Sequence, residues 1–397
     1  MEKALKMLDQ YPDTTIVFGD SCFTDFEYLI RKLGTEKIAV FTGRGSADRC
    51  GAWKKLLNSQ TYTGVELVRF SEIEPEPCVD TVAKMIDFLA AEQPDEVVAI
   101  GGGSAIDAAK LAWLVHQAGG SMHDYFGVNQ FSIKNPDARL KKVICFPITA
   151  GTGTEATPYS NIVDPALKVK KLAVETEIIP EYSFICPELT ASMPRTVTLA
   201  TGCDALAHLI EGLLNVGQDD RHPDANSWAL EGIRLIVENL PKVIKDGTDT
   251  KARAAMSIAA CLGGMVIRYK STGLPHLCSF SWFGRISHGE AVAALLPACW
   301  EYYLGNPAVV RRTLLLSDLF PGDDAAGVIA SYRKFVFSLG LPEKLESFPD
   351  LNMELMELTA ASASENRMKL ELAPRPVDPS QSKAILTEIL SLAYRGK

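Results

Sequence analysis

The chain has 397 residues, with 40 Lys and Arg against 49 Asp and Glu and a formal net charge of −9. That length argues for two domains, and 47% hydrophobic with 22% charged residues is the ordinary globular mixture rather than a disordered or fibrous one. An acidic balance without a block of Lys or Arg removes the attraction that dominates binding to nucleic acids and anionic membranes, so neither is expected as a partner.

The opening residues, MEKALKMLDQYPD, scatter charge and carry no apolar run, so no secretory leader is expected and the protein is placed in the cytoplasm. Nine cysteines, widely spaced and without a C-x-x-C pair, read as reduced core thiols. From residue 14 the chain alternates β-branched runs with amphipathic stretches. The runs lie at 14–19, 37–41, 65–70, 96–100 and 142–147, and helical periodicity covers 79–91 and 104–116. This alternation predicts a parallel sheet with helices on both faces.

Three of these strands end in loops with chemical potential. After the second comes Phe41-Thr42-Gly43-Arg44-Gly45-Ser46, where a cofactor with a free ribose 2'-hydroxyl usually meets an acid. Here the glycines leave room and Arg44 and Ser46 supply charge and hydrogen bonds suited to a 2'-phosphate, although a solvated surface turn reads the same way. After the fourth strand, Gly101-Gly102-Gly103-Ser104 opens a helix that continues through Asp107 and Lys110. A helix N-terminus behind a glycine turn attracts a pyrophosphate through its unsatisfied N–H groups and dipole. A tight turn without a ligand is the alternative, and Asp107 alone fits a residue that complements the helix dipole. After the strand at 142–147 comes Thr149-Ala-Gly-Thr152-Gly-Thr-Glu155, small and hydroxylic where open α/β sheets bind ligands. Two such loops on one sheet edge favour nucleotide binding over packed turns.

Further β-rich runs at 161–164, 172–175 and 183–186 precede Pro187 and Pro194. Beyond them strand signals almost vanish, and helical periodicity covers 196–214, 223–239, 250–268, 288–304, 306–318, 324–339, 353–363 and 380–395. A boundary is therefore expected near residue 190, with an α/β domain at 1–190 and an all-α domain at 191–397. The longest apolar stretch, 254–267, lies between Arg253 and Arg268 and is too short to span a bilayer.

In the helical half, Asp204 and His208 stand at i and i+4 and leave the same helix face, where they can share a cation. Such a pair alone is more often a capped helix with a hydrogen-bonded core histidine. His276, after an apolar helix, and His288, opening another, change that balance. One Asp and three neutral imidazoles bind a divalent first-row ion and leave it one net positive charge.

Together these segments resemble the iron-dependent (group III) alcohol dehydrogenase family. The resemblance rests on Gly-Gly-Gly-Ser104-x-x-Asp107-x-x-Lys110, Pro147-x-Thr149-x-Gly-Thr152-Gly-x-Glu155, Thr201-Gly-x-Asp204-Ala-x-x-His208-x-x-Glu211, and His288-Gly-x-Ala-x-Ala-x-Leu-Leu-Pro297, with Pro374-Arg375-Pro376 near the end. It implies a Rossmann-like dinucleotide-binding domain and a helical metal domain with the active site in the cleft between them. It implies hydride transfer between NAD(P)H and an aldehyde or primary alcohol, and homodimers are common in the family. By resemblance, Gly101, Gly102, Gly103 and Ser104 meet the pyrophosphate, Asp107 belongs to the same motif, Thr149 and Thr152 flank the nucleotide, and Lys171 falls near its ribose. Asp204, His208, His276 and His288 hold the metal, Fe2+ or alternatively Zn2+. Gly43, Arg44, Gly45 and Ser46 look like the NADP-preferring branch, NAD users tending to carry Asp at position 43.

The chain departs from the family at Phe280, where a second histidine usually follows the third ligand in an H-x-x-x-H pattern, and the interval from His276 to His288 is shorter than usual. Phe280, Trp282 and Phe283 suggest an apolar pocket wall and uncharged substrates, if they do not face the helical core. Two rival readings stand beside this one. The first is a lyase resembling dehydroquinate synthase, or a sugar-phosphate dehydrogenase of the same fold, which would need cationic residues around a phosphorylated substrate. The second is a nucleotide-binding protein with degenerate chemistry.

Overall fold

The computed structural model describes residues 1–167 and 169–396. Nine strands are present among them: β1 (Thr15–Phe18), β2 (Lys37–Gly43), β3 (Glu66–Ile73), β4 (Glu96–Gly101), β5 (Gly127–Val128), β6 (Ile144–Pro147), β7 (Tyr159–Asp164), β8 (Val169–Val174) and β9 (Tyr182–Ile185). Six form one sheet in the order β1-β9-β6-β4-β2-β3, and every pairing in it is parallel. The predicted parallel sheet is thus present.

Its strands alternate between two cores. Ala39, Phe41, Val97, Ala99 and Cys145 pack on one side with Met85, Leu89, Ile106 and Ala109 from the helices Val79–Glu92 and Gly103–Ala118. Ile38, Val40, Val98, Ile100, Ile144 and Phe146 pack on the other with Phe26, Ile30 and Leu56 from Cys22–Leu33 and Ala52–Thr63. A strand covered on both faces has no polar side to show, which is why these runs are continuously apolar.

The three later β-rich runs part company. β9 returns to the main sheet between β1 and β6, whereas β7 and β8 pair antiparallel and take β5 as a third strand in a separate small sheet.

The chain divides into two compact units, one of Met1–Pro194 with Asp246–Gly264 and one of Arg195–Lys245 with Met265–Lys397. The segment 246–264 joins the first unit through a glycine contact. A Cβ on Gly153, whose φ is +61°, would lie 2.5 Å from the Gly264 nitrogen and 2.6 Å from the Ala260 oxygen, so the loop and helix backbones touch there.

The second unit holds helices and, among the described residues, no strand. Its central members are Arg195–Leu214, Ala225–Lys245 and His288–Tyr303. The helices Arg195–Leu214 and Thr250–Tyr269 are long and apolar enough to cross a membrane, but each is 83% buried within the protein, which marks them as core helices. The short helix Leu274–Ser279, unexpected from the periodicity because it is a turn and a half long, carries His276.

Candidate functional site

In the second unit the helix Arg195–Leu214 presents Asp204 and His208 one turn apart, and both are buried. The helix Leu274–Ser279 brings His276 and the first residue of His288–Tyr303 brings His288. All three imidazoles converge on a single carboxylate oxygen. Asp204 Oδ1 lies 3.7 Å from His208 Nε2, 3.6 Å from His276 Nε2 and 3.6 Å from His288 Nε2. Asp204, His276 and His288 place their donor atoms within 4.8 Å of one another. His208 stands beside that trio with its ring stacked on His276, centroids 4.7 Å apart.

This donor set suits a divalent cation. Asp204 Oδ1 and His276 Nε2 are buried without any hydrogen-bond partner, a costly state for polar atoms unless something else satisfies them. Tetrahedral zinc or iron with ligands at about 2.1 Å separates its donors by about 3.4 Å, close to the spacing found here. Burial would lower the His276 imidazole, but the Glu211 and Asp204 carboxylates outweigh it and push it up to about 9. Burial holds His208 down at about 4, leaving its imidazole neutral at pH 7. Asp204, despite burial, lies well below the usual carboxylate range through His208, His288 and His276.

Two further residues hydrogen-bond to these imidazoles. Glu211 accepts from His276 Nδ1 at 2.5 Å, and Ser279 Oγ lies 3.2 Å from His288 Nδ1 while donating to the His276 carbonyl at 2.8 Å. Glu211 was legible only as a motif letter and Ser279 not at all, since a partner across the fold leaves no spacing signal in the chain.

The apolar residues between the ligands separate. Phe280 lies parallel to the His288 ring, centroids 6.2 Å apart. Trp282 is completely buried and its indole N–H donates to Thr359 Oγ1 at 2.8 Å, so it belongs to the helical core and does not wall a pocket.

In the first unit the two glycine and threonine loops meet. A Cβ on Gly102 would lie 2.8 Å from Thr149 Oγ1, and one on Gly103 2.8 Å from Thr152 Cγ2, so only glycine permits this approach at the start of the helix Gly103–Ala118. Asp107 and Lys110 face inward from that helix. Lys110 Nζ donates to Thr154 O (2.5 Å), Thr157 O (2.9 Å) and Tyr159 O (3.1 Å). The Asp107 carboxylate accepts from Thr154 Oγ1 (2.5 Å) and the Asn161 backbone N–H (2.9 Å). Both therefore brace the threonine loop from behind. Ser104 Oγ accepts from the Glu76 N–H at 3.1 Å, and Lys171 Nζ is paired with Asp164 at 2.9 Å and lies 3.4 Å from His123 Nδ1. At the end of β2, Arg44 is exposed, and a Cβ on Gly43 would lie 3.2 Å from Ser46 Oγ. Arg69, unnoticed in the sequence, reaches this turn from β3, donating to Thr42 Oγ1 at 3.0 Å and pairing with Asp48 at 2.6 Å.

Known proteins resemble this chain over most of its length. Residues 13–187 match the family model described as iron-containing alcohol dehydrogenase, and 198–390 match its C-terminal counterpart. The NAD-dependent methanol dehydrogenase of Bacillus methanolicus is 29% identical over 88% of this chain and 91% of its own length. The NADPH-dependent butanol dehydrogenase of Clostridium saccharobutylicum is 32% identical over 68% of each chain. Among solved structures, the iron-containing alcohol dehydrogenase of Thermotoga maritima is 30% identical with a TM-score of 0.80, covering 96% of this chain and 99% of that one.

Proposed function

On the premise that the chain belongs to the iron-containing alcohol dehydrogenase family, and so is a metal-dependent oxidoreductase linking NAD(P)H to an alcohol and aldehyde pair, we propose that it reduces uncharged aldehydes with NADPH. The observation that carries the chemistry is the buried, unpartnered Asp204 oxygen ringed by imidazole nitrogens. Asp204, His276 and His288 would hold the cation, with His208 as the fourth donor. Such an ion, Fe2+ or Zn2+, supplies the positive charge that polarises a substrate oxygen, and the nicotinamide supplies the hydride.

The remaining work falls to the chain. Gly101, Gly102, Gly103 and Ser104 would receive the pyrophosphate at a helix N-terminus, with Thr149 and Thr152 beside the nucleotide, Lys171 near its ribose, and Asp107 acting through the loop it braces. Residues 1–190 would thus serve the cofactor and 191–397 the metal. Phe280, stacked on His288, puts an apolar face where an imidazole would otherwise stand, so the proton given to the product comes from water or a cofactor hydroxyl. The same apolar face offers no partner to a carboxylate or phosphate on the substrate.

The preference for NADPH rests on Gly43, where an acid would repel a 2'-phosphate, and on the exposed Arg44 next to it. Initial rates with both cofactors, over matched neutral and anionic aldehydes, test the reading. A higher kcat/KM with NADPH and with neutral aldehydes is expected. A higher kcat/KM with NADH refutes the cofactor assignment, and a markedly higher value for an anionic aldehyde refutes the apolar pocket. Gly43→Asp should shift preference toward NADH.

A further inference from the structure

Each imidazole ligand has two nitrogens, and only one can face a cation. Which one does so is decided by what the other nitrogen meets. For His276 that partner is Glu211, a carboxylate with no solvent exposure at all. Its Oε1 lies 2.5 Å from His276 Nδ1, and because a carboxylate can only accept, Nδ1 must carry the proton. The opposite nitrogen, Nε2, is the buried unpartnered one that points at Asp204 Oδ1.

The second oxygen of Glu211 is committed as well. Oε2 accepts from the Gly273 N–H at 2.7 Å. Gly273 precedes the short helix Leu274–Ser279 that carries His276, and having no side chain it cannot cap that helix itself. Tyr303 serves the next donor, its hydroxyl accepting from the Leu274 N–H at 2.7 Å. Lys369 closes the far side, donating to Thr272 O and Thr272 Oγ1, each at 2.9 Å.

We propose that Glu211 is a positioning residue of the metal centre, setting through its two hydrogen bonds both the tautomer of His276 and the start of the helix that carries it. This rests on the metal-centre reading above and adds to it a residue that touches neither cation nor substrate. The chemistry separates the two tasks. A glutamine at position 211 keeps the volume but offers one acceptor and one donor to two N–H groups. If its amide nitrogen faces His276, the imidazole must accept there, and the proton moves to Nε2, where it excludes the cation. If the amide faces Gly273 instead, a donor meets a donor at the helix start.

Zn2+ is the probe, and binding is read without turnover. In Zn2+-loaded wild-type protein labelled with 15N-histidine, His276 should show a proton on Nδ1 and a metal-bound Nε2; the reverse pattern overturns the proposal whether or not any variant folds. Chelator competition then gives the dissociation constant. Glu211→Gln should weaken Zn2+ binding by about 10- to 100-fold, whereas Tyr303→Phe, which removes the neighbouring helix-start partner without touching His276, should lower stability and leave affinity nearly unchanged. Wild-type affinity in Glu211→Gln, or an equal loss in Tyr303→Phe, would reduce Glu211 to a structural brace and overturn the proposal. A wild-type protein that takes up no Zn2+ is a separate result, which fails the metal-centre reading itself.

Discussion

Gly289, next to His288, brings the helix His288–Tyr303 into backbone contact with the helix bearing Asp204. An ideal Cβ at this position would overlap the Ala200 carbonyl oxygen, lie 2.7 Å from the Ala200 carbonyl carbon, and stand 3.1 Å from Asp204 Cβ. Carbon atoms pack at about 3.5 to 4.0 Å, and with the carbonyl oxygen overlapped as well, Gly289→Ala requires the two helices to part by more than about 1 Å. Neither obstacle can turn away, since one is backbone and the other sits on a buried ligand. Forcing a methyl into a packed contact costs about 1 to 3 kcal/mol, and a backbone obstacle puts this case at the upper end. The displacement also falls between His288 and Asp204, whose donor atoms are now 3.6 Å apart. Moving them by about 1 Å exceeds the roughly 0.5 Å tolerance of a preorganised site. Gly289→Ala should therefore lose about 3 kcal/mol of stability in urea unfolding of the metal-free protein, and about 100-fold in Zn2+ affinity by chelator competition. A variant that unfolds at the wild-type urea concentration and binds Zn2+ with wild-type affinity would refute the reasoning, since the helices would then be free to separate without cost.

Glu155 offers a test by pH. Burial pushes its carboxyl up to about 7, with only partial relief from Lys110. The folded protein thus keeps a proton that the unfolded chain releases, so the contribution of Glu155 to stability is fullest below the ordinary carboxylate range and is lost as pH rises to about 7, by about 3 kcal/mol for a shift of this size. Glu155→Gln should abolish that loss between pH 5 and pH 8 in urea unfolding; a variant with the wild-type pH dependence would contradict the assignment. At the nucleotide loops, Gly102→Ala sets a methyl 2.8 Å from Thr149 Oγ1 and 3.0 Å from Thr149 Cγ2, so no rotation of that side chain clears both. KM for the nicotinamide cofactor should rise about tenfold, roughly the 1.4 kcal/mol expected of a modest misplacement, with metal content unchanged. An unchanged KM would remove this turn from the cofactor site.

Much of this protein was legible in the chain itself. Continuous apolar runs such as Ile38 to Phe41 and Val97 to Ile100 can only be strands covered on both faces, and the 3.6-residue periodicity beyond residue 195 can only be helices, because each pattern records which neighbours a side chain must avoid or meet within its own element. The same local rule set Asp204 and His208 on one helix face. It could not reach further. That His276 and His288 arrive at the same carboxylate oxygen, that Glu211 turns the His276 ring, and that Ser279 meets His288 all depend on how separate helices pack. Trp282 read either as a pocket wall or as a core residue because an aromatic in that stretch looks the same in sequence whether it faces substrate or core, and its bond to Thr359 places it in the core. The segment 246–264 carried the helical signature of the second half, yet Gly153 and Gly264, two residues with nothing in their neighbourhoods to link them, bring it into the first unit. Periodicity is a property of one element, whereas a metal centre and a backbone contact are properties of pairs, and only tertiary packing chooses the pairs.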